Sequence, residues 1–596
     1  MTPPSPIVEY AFELNAATVS TPPRSVGSAS APSQGGRKRW RLRESPERGR
    51  LFHSGLPKLI ATVLENRGIG TAVEAQKFLG GRETHLGDPR HMPGFGNALR
   101  MLHDAIAAGR TICIYGDFDV DGITSTAILT ETLRDLGGDV LPYIPHRERE
   151  GYGLNVRAID SLADRGVGVL VTCDCGTTSV VEVERARSQG LEVIVVDHHL
   201  PPADLPDTSA LINPKLPAGR YAFIDYATAG LAFRLAGALY ESAMRPFPEA
   251  RYAELAALGT VADMVPLLGE NREVVRRGLE AIAVTERPGL RALIGVAGLK
   301  PKDVTSESIA FSLAPRINAA GRLADARLAL EMLLTDEEGT ALSLAANIDA
   351  LNKERQRMTL EAQEMARTMV EARPDVPIIV TGHEDFHQGI IGLVASRLVD
   401  TFGRPALVYQ KGAVESRGSC RSIREYDITN GLRSCGHLFE RFGGHHQAAG
   451  FTILNERLGA LEEAMVAHAS EHLAGFDLMP TLDIDAEWPL GDLRSQEIKW
   501  LNKLQPFGQG NPEVSLLSRN VQVVDAKPVG QEGRHLRLRL KSANVTWPAI
   551  CFNYEGACPQ PGSSFDVVYS LSADRYGSGE GGGALQLTVQ DIAPSR

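Results

Sequence analysis

Three clusters of acidic residues, each directly after a short apolar run, form the part of the sequence best suited to chemistry. Their members are Asp117, Asp119 and Asp121 in YGDFDVDG, Asp174 in CDCGTTS, and Asp197, His198 and His199 in VVDHHLP. A fourth candidate, Asp263 in GTVADMVP, follows a helical stretch. Carboxylates crowded together raise one another's pKa values unless cations neutralise them. Carboxylates combined with imidazoles suit Mn²⁺, Mg²⁺ or Zn²⁺ rather than a thiolate site.

The apolar runs before these clusters are predicted β-strands. TICIYG (111–116), VLVTCD (169–174) and EVIVVD (192–197) alternate with helical stretches, a rhythm that predicts βαβ units and a parallel sheet. Residues just beyond the carboxyl ends of adjacent parallel strands meet in one crevice. Each cluster alone has a simpler interpretation as a turn or a helix cap. Three clusters at successive strand ends favour a single metal site.

Length and composition narrow the class of protein. A chain of 596 residues is too long for one core, so we expect three or four domains. No apolar run approaches the roughly 20 residues of a membrane span, and the N-terminus lacks a secretory pattern. Seven cysteines, an odd number, favour reduced thiols in the cytoplasm. The net charge of −11 is not typical of a protein that binds nucleic acid. A protein with this net charge can still contain a local basic groove.

Changes in composition and hydrophobic pattern along the sequence predict a multidomain α/β fold with six segments. A Pro-, Ser-, Ala- and Gly-rich start predicts a disordered tail, and the basic residues Arg37, Lys38, Arg39 and Arg41 are interpreted as solvated linker. After Pro480, short alternating stretches separated by Gly and Pro predict a small β-barrel. The predicted segments are the tail at 1–48, an N-terminal helical segment at 49–107, the parallel-sheet domain at 108–270, a helical connector at 271–372, a smaller α/β domain at 373–476 and the barrel at 477–596.

The order of these motifs resembles that of the DHH phosphoesterase family. The D-x-D of DFDVDG, then CDCG, the DHH triplet at 197–199 and GTVADMVP follow one another as in that family. Further segments resemble the family's exonucleases specific for single-stranded DNA: IPHREREGYGLN (144–155), PRINAAGRL (315–323), GSCRS (418–422), GGHHQAAGF (443–451) and LQPFGQGNPE (504–513). The match covers most of residues 50–595. It implies a DHH domain, a DHH-associated domain and a C-terminal OB-fold.

The resemblance also implies a centre of two divalent metal ions, Mn²⁺ or Mg²⁺. The implied ligands are Asp119, Asp121, Asp174, His198 and Asp263, with Asp174 suited to bridging. Asp117 is either a ligand or a partner of one. Asp197 and His199 either orient His198 or contact the scissile phosphate. The residues that the resemblance implies as catalytic are Asp174, Asp197, His198 and His199. Paired ions would activate water for in-line attack on phosphorus, without a protein nucleophile.

Several residues are candidates for contacts with DNA phosphates. The resemblance implies that Arg147 recognises a 5′-phosphate and that Arg316 contacts the backbone near the cut; the alternatives are a surface arginine and a helix-end salt bridge. It also places Ser419 and Arg421 on a strand near the GGHHQAAG loop. In that loop, the segment from Gly444 to Gly450, which includes His445, could present several N–H donors to a phosphate.

The predicted barrel contains a basic strand. In RHLRLRLK, alternation with period two predicts that Arg537, Arg539 and Lys541 share one face with His535. OB-folds bind single strands through such grooves and through aromatic stacking. Phe507 is either a stacking platform or a buried turn aromatic.

The resemblance, together with these features, implies a 5′→3′ exonuclease that acts on single-stranded DNA in recombination and repair. We expect it in the bacterial cytoplasm and not at a membrane. Expected partners are single-stranded DNA, a single-strand-binding protein and a RecQ-type helicase. One alternative is another DHH phosphodiesterase, such as a nanoRNase or pAp phosphatase, which would have no use for the connector and barrel. A second is a DNA-binding scaffold with an inactive site, against which the intact carboxylates argue.

Overall fold

The computed structural model describes residues 38–45, 49–80, 86–147, 149–217, 219, 221–373, 376–530, 533–554, 556–573 and 585–595. These residues form two compact units. The first draws on Thr84–Lys353 and Pro506–Pro512, and the second on Ser30–Glu83, Glu354–Gln505 and Glu513–Arg596. Among the described residues, every helix is too short or too polar to cross a membrane.

The N-terminal region divides between the units. Its elements are β1 (Arg39–Leu42), α1 (Lys58–Asn66), α2 (Ala72–Phe78) and α3 (Phe95–Ala107). The predicted helical segment at 49–107 is therefore split. Helices α1 and α2 belong to the second unit, whereas α3 belongs to the first and contributes Phe95 and Leu102 to its core.

A parallel sheet forms the centre of the first unit. Its strands are β2 (Thr111–Gly116), β3 (Val140–Tyr143), β4 (Val167–Cys173), β5 (Glu192–Val196) and β6 (Ala210–Ile212), in the order β3-β2-β4-β5-β6. The helices of this region are α4 (Val120–Asp135), α5 (Val156–Asp164), α6 (Val180–Ser188), α7 (Thr228–Ser242) and α8 (Glu249–Ala262). All pairings are parallel and the central strands are buried on both faces, as covering helices require. The predicted parallel sheet is confirmed.

Helices continue without further strands to residue 371. They are α9 (Gly269–Ile282), α10 (Pro288–Val296), α11 (Ser306–Ser308), a π-helical turn (Ile309–Leu313), α12 (Ala314–Leu323), α13 (Arg327–Leu334) and α14 (Glu338–Glu371). The predicted connector at 271–372 is corrected for most of its length, because Leu290, Leu313 and Leu333 lie in the same core as the parallel sheet. Only α14, whose 34 residues run from one unit into the other, acts as a connector.

The second unit contains a smaller α/β region, as predicted, and the sheet of this region is mixed. Its elements are β7 (Ile379–His383), α15 (Ile391–Phe402), β8 (Ala406–Lys411), β9 (Glu415–Arg421), α16 (Ile428–Ser434), β10 (Phe439–His445), β11 (Ala448–Leu454) and α17 (Leu458–His472). The strand order is β10-β11-β9-β8-β7, with only β7 and β8 parallel. Strand β10 therefore lies at an edge.

A closed five-stranded barrel follows and confirms the prediction. The elements are β12 (Thr481–Ile484), β13 (Ala486–Glu487), α18 (Ser495–Asn502), β14 (Leu516–Val529), β15 (His535–Ser542), β16 (Val545–Cys551), β17 (Ser564–Ala573) and β18 (Leu585–Pro594). Strands pair in the order β14-β15-β16-β18-β17, and β17 pairs back onto β14. Closure removes the free edges of the sheet.

Strand β1 corrects part of the predicted disordered tail. It pairs in parallel with β12, and Trp40 and Leu42 pack against the small apolar cluster of Ile484, Leu517 and Val568. On β1, Arg41 donates two hydrogen bonds to the Asp483 carboxylate. The tail prediction is therefore wrong for residues 39–42. Residues 1–37 and 46–48 of that prediction lie outside the described part of the chain.

Candidate metal centre

The predicted acidic clusters meet at the carboxyl end of the parallel sheet. Asp117 directly follows β2, Asp174 follows β4, and Asp197 follows β5. Three groups each bring one ligand atom per residue within 4.8 Å of the others: Asp117, Asp119 and Asp174; Asp174, His198 and His199; and Asp121, His198 and Asp263. Because Asp174 and His198 each belong to two groups, the three groups form one continuous site.

The DFDVDG segment folds as the start of α4. Asp119 caps this helix, and its Oδ1 accepts hydrogen bonds from the N–H groups of Asp121 (2.9 Å) and Gly122 (3.1 Å). Gly122 is needed because a Cβ there would lie 2.5 Å from the carbonyl oxygen of Asp117. The cap therefore holds the carboxylates of this segment at the end of β2.

Asp121 is held by a second helix. Its two carboxylate oxygens accept from the N–H groups of Thr228 (2.7 Å) and Ala229 (2.8 Å), in the first turn of α7. The positive end of a helix dipole stabilises a carboxylate in this position. Asp121 thus serves both as a member of the metal-binding group and as the link between α4 and α7.

Asp174 lies between the other groups in an unusual backbone conformation. Its φ of 65° is left-handed, a region that Asp and Asn enter more readily than most residues. The Thr228 hydroxyl donates to its Oδ1 at 3.2 Å, and the Tyr152 hydroxyl donates to its carbonyl at 3.2 Å. These contacts aim a buried carboxylate at the middle of the site, where the bridging role was predicted.

Asp197 organises the DHH triplet. Its Oδ1 accepts from the main-chain N–H groups of His198 (2.7 Å) and His199 (3.1 Å) and lies 2.7 Å from His199 Nδ1. Its Oδ2 accepts from the Thr177 N–H at 3.0 Å. Burial acts to raise the pKa of Asp197, but these hydrogen bonds and the charge of His199 outweigh it and lower that pKa well below its usual range. Of the two predicted roles, this geometry supports orientation of the histidines.

The site has an excess of negative charge that its own residues do not balance. Burial, followed by the charges of Asp121 and Asp119, raises the pKa of Asp263 to about 9. Burial and the Asp119 charge also raise the pKa of Asp121 to about 7. Burial and neighbouring carboxylates raise the pKa values of Asp117 and Asp174 well above their ordinary value. Divalent cations would supply the missing positive charge.

Unpaired buried atoms also fit a metal centre. Among the described residues, Oδ1 of Asp117, Oδ2 of Asp263 and both ring nitrogens of His198 have no hydrogen-bond partner. Such buried atoms are costly unless a ligand satisfies them. His198 Nε2 lies 3.4 Å from both Asp174 Oδ1 and Asp263 Oδ2, and burial lowers the pKa of His198 to about 3, which keeps its lone pair available. The donor set therefore fits a hard divalent cation.

The two predicted arginine contacts of the first unit have different surroundings. The Arg147 guanidinium lies 4.6 Å from the centre of the Phe118 ring, and Phe118 stands between the predicted ligands Asp117 and Asp119 in the sequence. Arg316 instead pairs with Asp349, with 3.0 Å between Nε and Oδ1, which is the structural alternative stated above. A DNA contact of Arg316 remains a prediction.

The second unit brings Ser419 and Arg421 together on one face of β9. A Cβ on Gly392, in the first turn of α15, would lie 3.0 Å from Ser419 Oγ and 3.2 Å from an Arg421 nitrogen. The first turn of α15 thus lies close to a hydroxyl and a guanidinium, and all three are groups that can contact a phosphate.

The glycine-rich segment nearby differs from the expected loop. Gly444 lies in strand β10, opposite Ala449 of β11, and His445 pairs with Ala448 at the hairpin end. A Cβ on Gly444 would lie 2.4 Å from the Ala448 carbonyl oxygen, so the close approach of the strands explains this glycine. The expected loop is therefore corrected to a β-hairpin, and the contact of its N–H groups with a phosphate remains a prediction.

The barrel bears out the predicted alternation. On β15, Arg537, Arg539 and Lys541 are exposed, and the leucines between them are buried in the barrel. Half-buried His535 packs edge-on against Phe552, with the ring centres 5.3 Å apart. Phe507 belongs to the first unit and not to the barrel, and its carbonyl accepts from the Ser306 hydroxyl.

Three residues of the metal centre were not predicted. Thr228 and Tyr152 contact Asp174, as described above. Asn213 donates from Nδ2 to the His199 carbonyl at 2.8 Å and so anchors the DHH loop. Asn213 directly follows β6, and a polar residue after a strand was an available signal. Thr228 does not follow a strand and so left no such signal, although its hydroxyl contacts Asp174 and its N–H group engages Asp121.

Comparison with known proteins gives the class of this fold and site. Residues 111–260 match the DHH family N-terminal domain, residues 375–471 match the DHHA1 domain, and residues 484–591 match the RecJ OB domain. The crevice of carboxylates and histidines lies within the first match, apart from Asp263 just beyond its end. The fold and the site therefore define a protein of the DHH family.

Relatives narrow the class to one family. The single-stranded-DNA-specific exonuclease RecJ of Bacillus subtilis is 36% identical over 546 residues, which cover 90% of this chain and 68% of that protein. The RecJ of Salmonella typhimurium is 32% identical, with 93% of this chain and 99% of the relative covered. The crystal structure of Thermus thermophilus RecJ with Mn²⁺ matches with a TM-score of 0.81 at 31% identity, covering 94% of this chain and 80% of that one; a Mg²⁺ complex of that protein also matches. The chain belongs to the RecJ family.

Proposed function

We propose that the protein is a metal-dependent exonuclease that degrades single-stranded DNA from its 5′ end, in recombination and repair. The observation that carries this proposal is the buried crevice of carboxylates and histidines, with its uncompensated charge and unpaired donor atoms. The names of the relatives, single-stranded-DNA-specific exonucleases, support the substrate. The helical region and the barrel argue against a small DHH phosphodiesterase, and the intact ligand set argues against an inactive scaffold.

We assign the residues of the crevice to separate tasks. Asp117, Asp119, Asp121, Asp174, His198 and Asp263 hold two divalent ions, Mn²⁺ or Mg²⁺. When bound, these ions supply an activated water and neutralise the charge of in-line phosphodiester hydrolysis. Asp197 holds the DHH loop, and Thr228 and Tyr152 orient Asp174. His199 is fixed through Nδ1 by Asp197, and its Nε2 lies 3.3 Å from the Tyr152 hydroxyl.

The DNA contacts belong to both units. In the first unit, Arg147, stacked on Phe118 beside the metal ligands, is proposed to contact the 5′-phosphate. In the second unit, Ser419 and Arg421 are proposed to contact a phosphate at the 5′ end of the strand. Arg537 and Arg539 are proposed to contact the backbone of a longer strand on the barrel surface. A single-strand-binding protein and a RecQ-type helicase are proposed as partners from the family resemblance. The seven free cysteines agree with the proposed location in a bacterial cytoplasm.

The proposal is tested with a long DNA strand labelled at one end or the other. With Mn²⁺ or Mg²⁺ and the full-length protein, label at the 5′ end should be released first, and a duplex of the same sequence should resist digestion. Addition of EDTA should stop the reaction. Equal digestion of duplex and single strand would contradict the proposed substrate, and activity in EDTA would contradict the metal centre.

A further inference from the structure

The motif LQPFGQGNPE has no role in the function proposed so far, although it is among the segments most typical of the family resemblance. Its central part, Pro506–Pro512, belongs to the first unit, whereas the flanking Gln505 and Glu513 belong to the second. We call Pro506–Pro512 the strap. The strap crosses the loop that follows the metal ligand Asp263, and three of its main-chain carbonyl groups accept hydrogen bonds from that unit.

The three hydrogen bonds come from different elements. The Gln509 carbonyl accepts from the Leu267 N–H at 2.7 Å, in the loop between α8 and α9. The Pro506 carbonyl accepts from Arg272 of α9 at 3.2 Å. The Phe507 carbonyl accepts from the Ser306 hydroxyl at 2.6 Å. Contacts to main-chain oxygens depend on the shape of the strap and not on its side chains.

The strap has a fixed shape. Gly508 and Asn511 exchange two main-chain hydrogen bonds of 2.8 and 3.1 Å. The buried Asn511 side chain donates to the Pro506 carbonyl at 2.8 Å and closes the same turn. A Cβ on Gly508 would lie 2.6 Å from Leu267 Cδ1, and Leu267 is buried and cannot move aside without disturbing its neighbours. Glycine at 508 is thus required for close approach to the loop.

The loop between α8 and α9 connects the strap contact at Leu267 to the metal ligand Asp263 through a short stretch of main chain. Only three residues separate Leu267 from Asp263. Met264 has a left-handed φ of 60°, and Pro266 has a ring-fixed φ, so the main chain between them has little freedom. Asp263 Oδ2 makes no hydrogen bond within the described residues, so the backbone of this loop contributes strongly to the direction of the carboxylate.

We propose that the strap is a positioning element that holds Asp263 in the geometry required for metal binding. This inference rests on the proposed metal centre and deepens it. The strap acts through Leu267 and touches neither substrate nor metal. Partners that orient metal ligands contribute about 10- to 100-fold to metal affinity, so loosening the strap should weaken metal binding more than it slows turnover at saturating metal.

The experiment measures Mn²⁺ affinity of the full-length protein without DNA, by electron paramagnetic resonance of the unbound ion. Gly508→Ala should weaken the affinity about tenfold, and excess Mn²⁺ should restore most of the exonuclease rate. Gln509→Ala is the matched control, because the exposed side chain is lost and the main-chain acceptor stays. Leu267→Ala removes the atom that clashes with the new methyl group, so adding Gly508→Ala to Leu267→Ala should cause no further loss.

Ser306→Ala provides a second test that needs no change in the strap itself, since it removes one hydrogen bond to Phe507. It should weaken Mn²⁺ binding severalfold while circular dichroism stays unchanged. Unchanged Mn²⁺ affinity in both Gly508→Ala and Ser306→Ala would contradict the positioning role of the strap without contradicting the metal centre. Failure of the unaltered protein to bind Mn²⁺ would overturn the metal centre and the strap with it.

Discussion

Asp174 and His198 link the three ligand groups of the metal centre, because each of them belongs to two groups. Asp174→Asn should reduce hydrolysis by about 10²- to 10³-fold or more, the cost of removing a key charged or donor group from a catalytic site. Asn keeps the shape and tolerates the left-handed φ of 65°, whereas Ala would add backbone strain. The rate is measured on single-stranded DNA with Mn²⁺, and thermal melting serves as the control. Near-normal turnover would contradict the two-metal assignment.

At the residue scale, the sequence predicted side chains better than main-chain partners. Asp117, Asp174 and Asp197 were recognisable because each follows an apolar strand, and parallel strand ends converge. The role of Asp197 was left open, since only the structure shows its oxygens accepting from the DHH loop. Thr228 could not be predicted, because an N–H group at the start of α7 engages Asp121 and every non-proline residue has one.

At the scale of single elements, the first turn of α15 offers a test of the 5′-phosphate contact. Gly392→Ala would place a methyl group 3.0 Å from Ser419 Oγ and 3.2 Å from Arg421. Ala is a better helix former than Gly by about 1 kcal/mol, which offsets part of the cost of this crowding. We expect the preference for a 5′-phosphorylated strand over a 5′-hydroxyl strand to fall severalfold.

The measurement for Gly392→Ala is the ratio of initial rates on the two strands. Gly459→Ala is the matched control, because Gly459 is a helical glycine of the same unit with open space where the methyl group would lie. An unchanged ratio in Gly392→Ala would contradict the proposed contact of Ser419 and Arg421 with the 5′-phosphate.

The basic face of β15 is tested through the salt dependence of binding. Each phosphate contact to a single strand contributes about 0.7 to the slope of log K against log salt, so Arg537→Ala with Arg539→Ala should lower the slope by about 1.4. Truncation after residue 477 is a poorer test, because it would remove the strap together with the barrel. Arg357→Ala on α14 is the control for loss of charge. An unchanged slope in the double variant would show that β15 is not part of the DNA-binding surface.

Strands were predictable where apolar residues alternate with polar ones, or where both faces of the strand are buried and the sequence is continuously apolar. Strand β15 was predicted by strict alternation, and the strands of the parallel sheet by continuous apolar runs. Pro548 weakens the strand pattern of β16, although it pairs opposite Arg539. Strand β1 was missed since its partner β12 lies more than 400 residues away, as the pairing of Arg39 with Thr481 shows. Local composition carries no information on such a pairing.

At the scale of the whole molecule, polarity distinguishes this enzyme from a phosphodiesterase without end preference. Arg147→Ala should slow digestion of 5′-phosphorylated strands by one to two orders of magnitude, because a charge-assisted contact contributes about 1.5–3 kcal/mol. Digestion of 5′-hydroxyl strands and the Mn²⁺ dependence should change little. Arg147→Lys keeps the charge but loses the planar group that stacks on Phe118, so it should recover only part of the rate. The measurement is the initial rate on both strands for the three proteins. An unchanged preference in Arg147→Ala would exclude Arg147 from end recognition, and release of 3′ label first by the unaltered protein would reverse the proposed polarity.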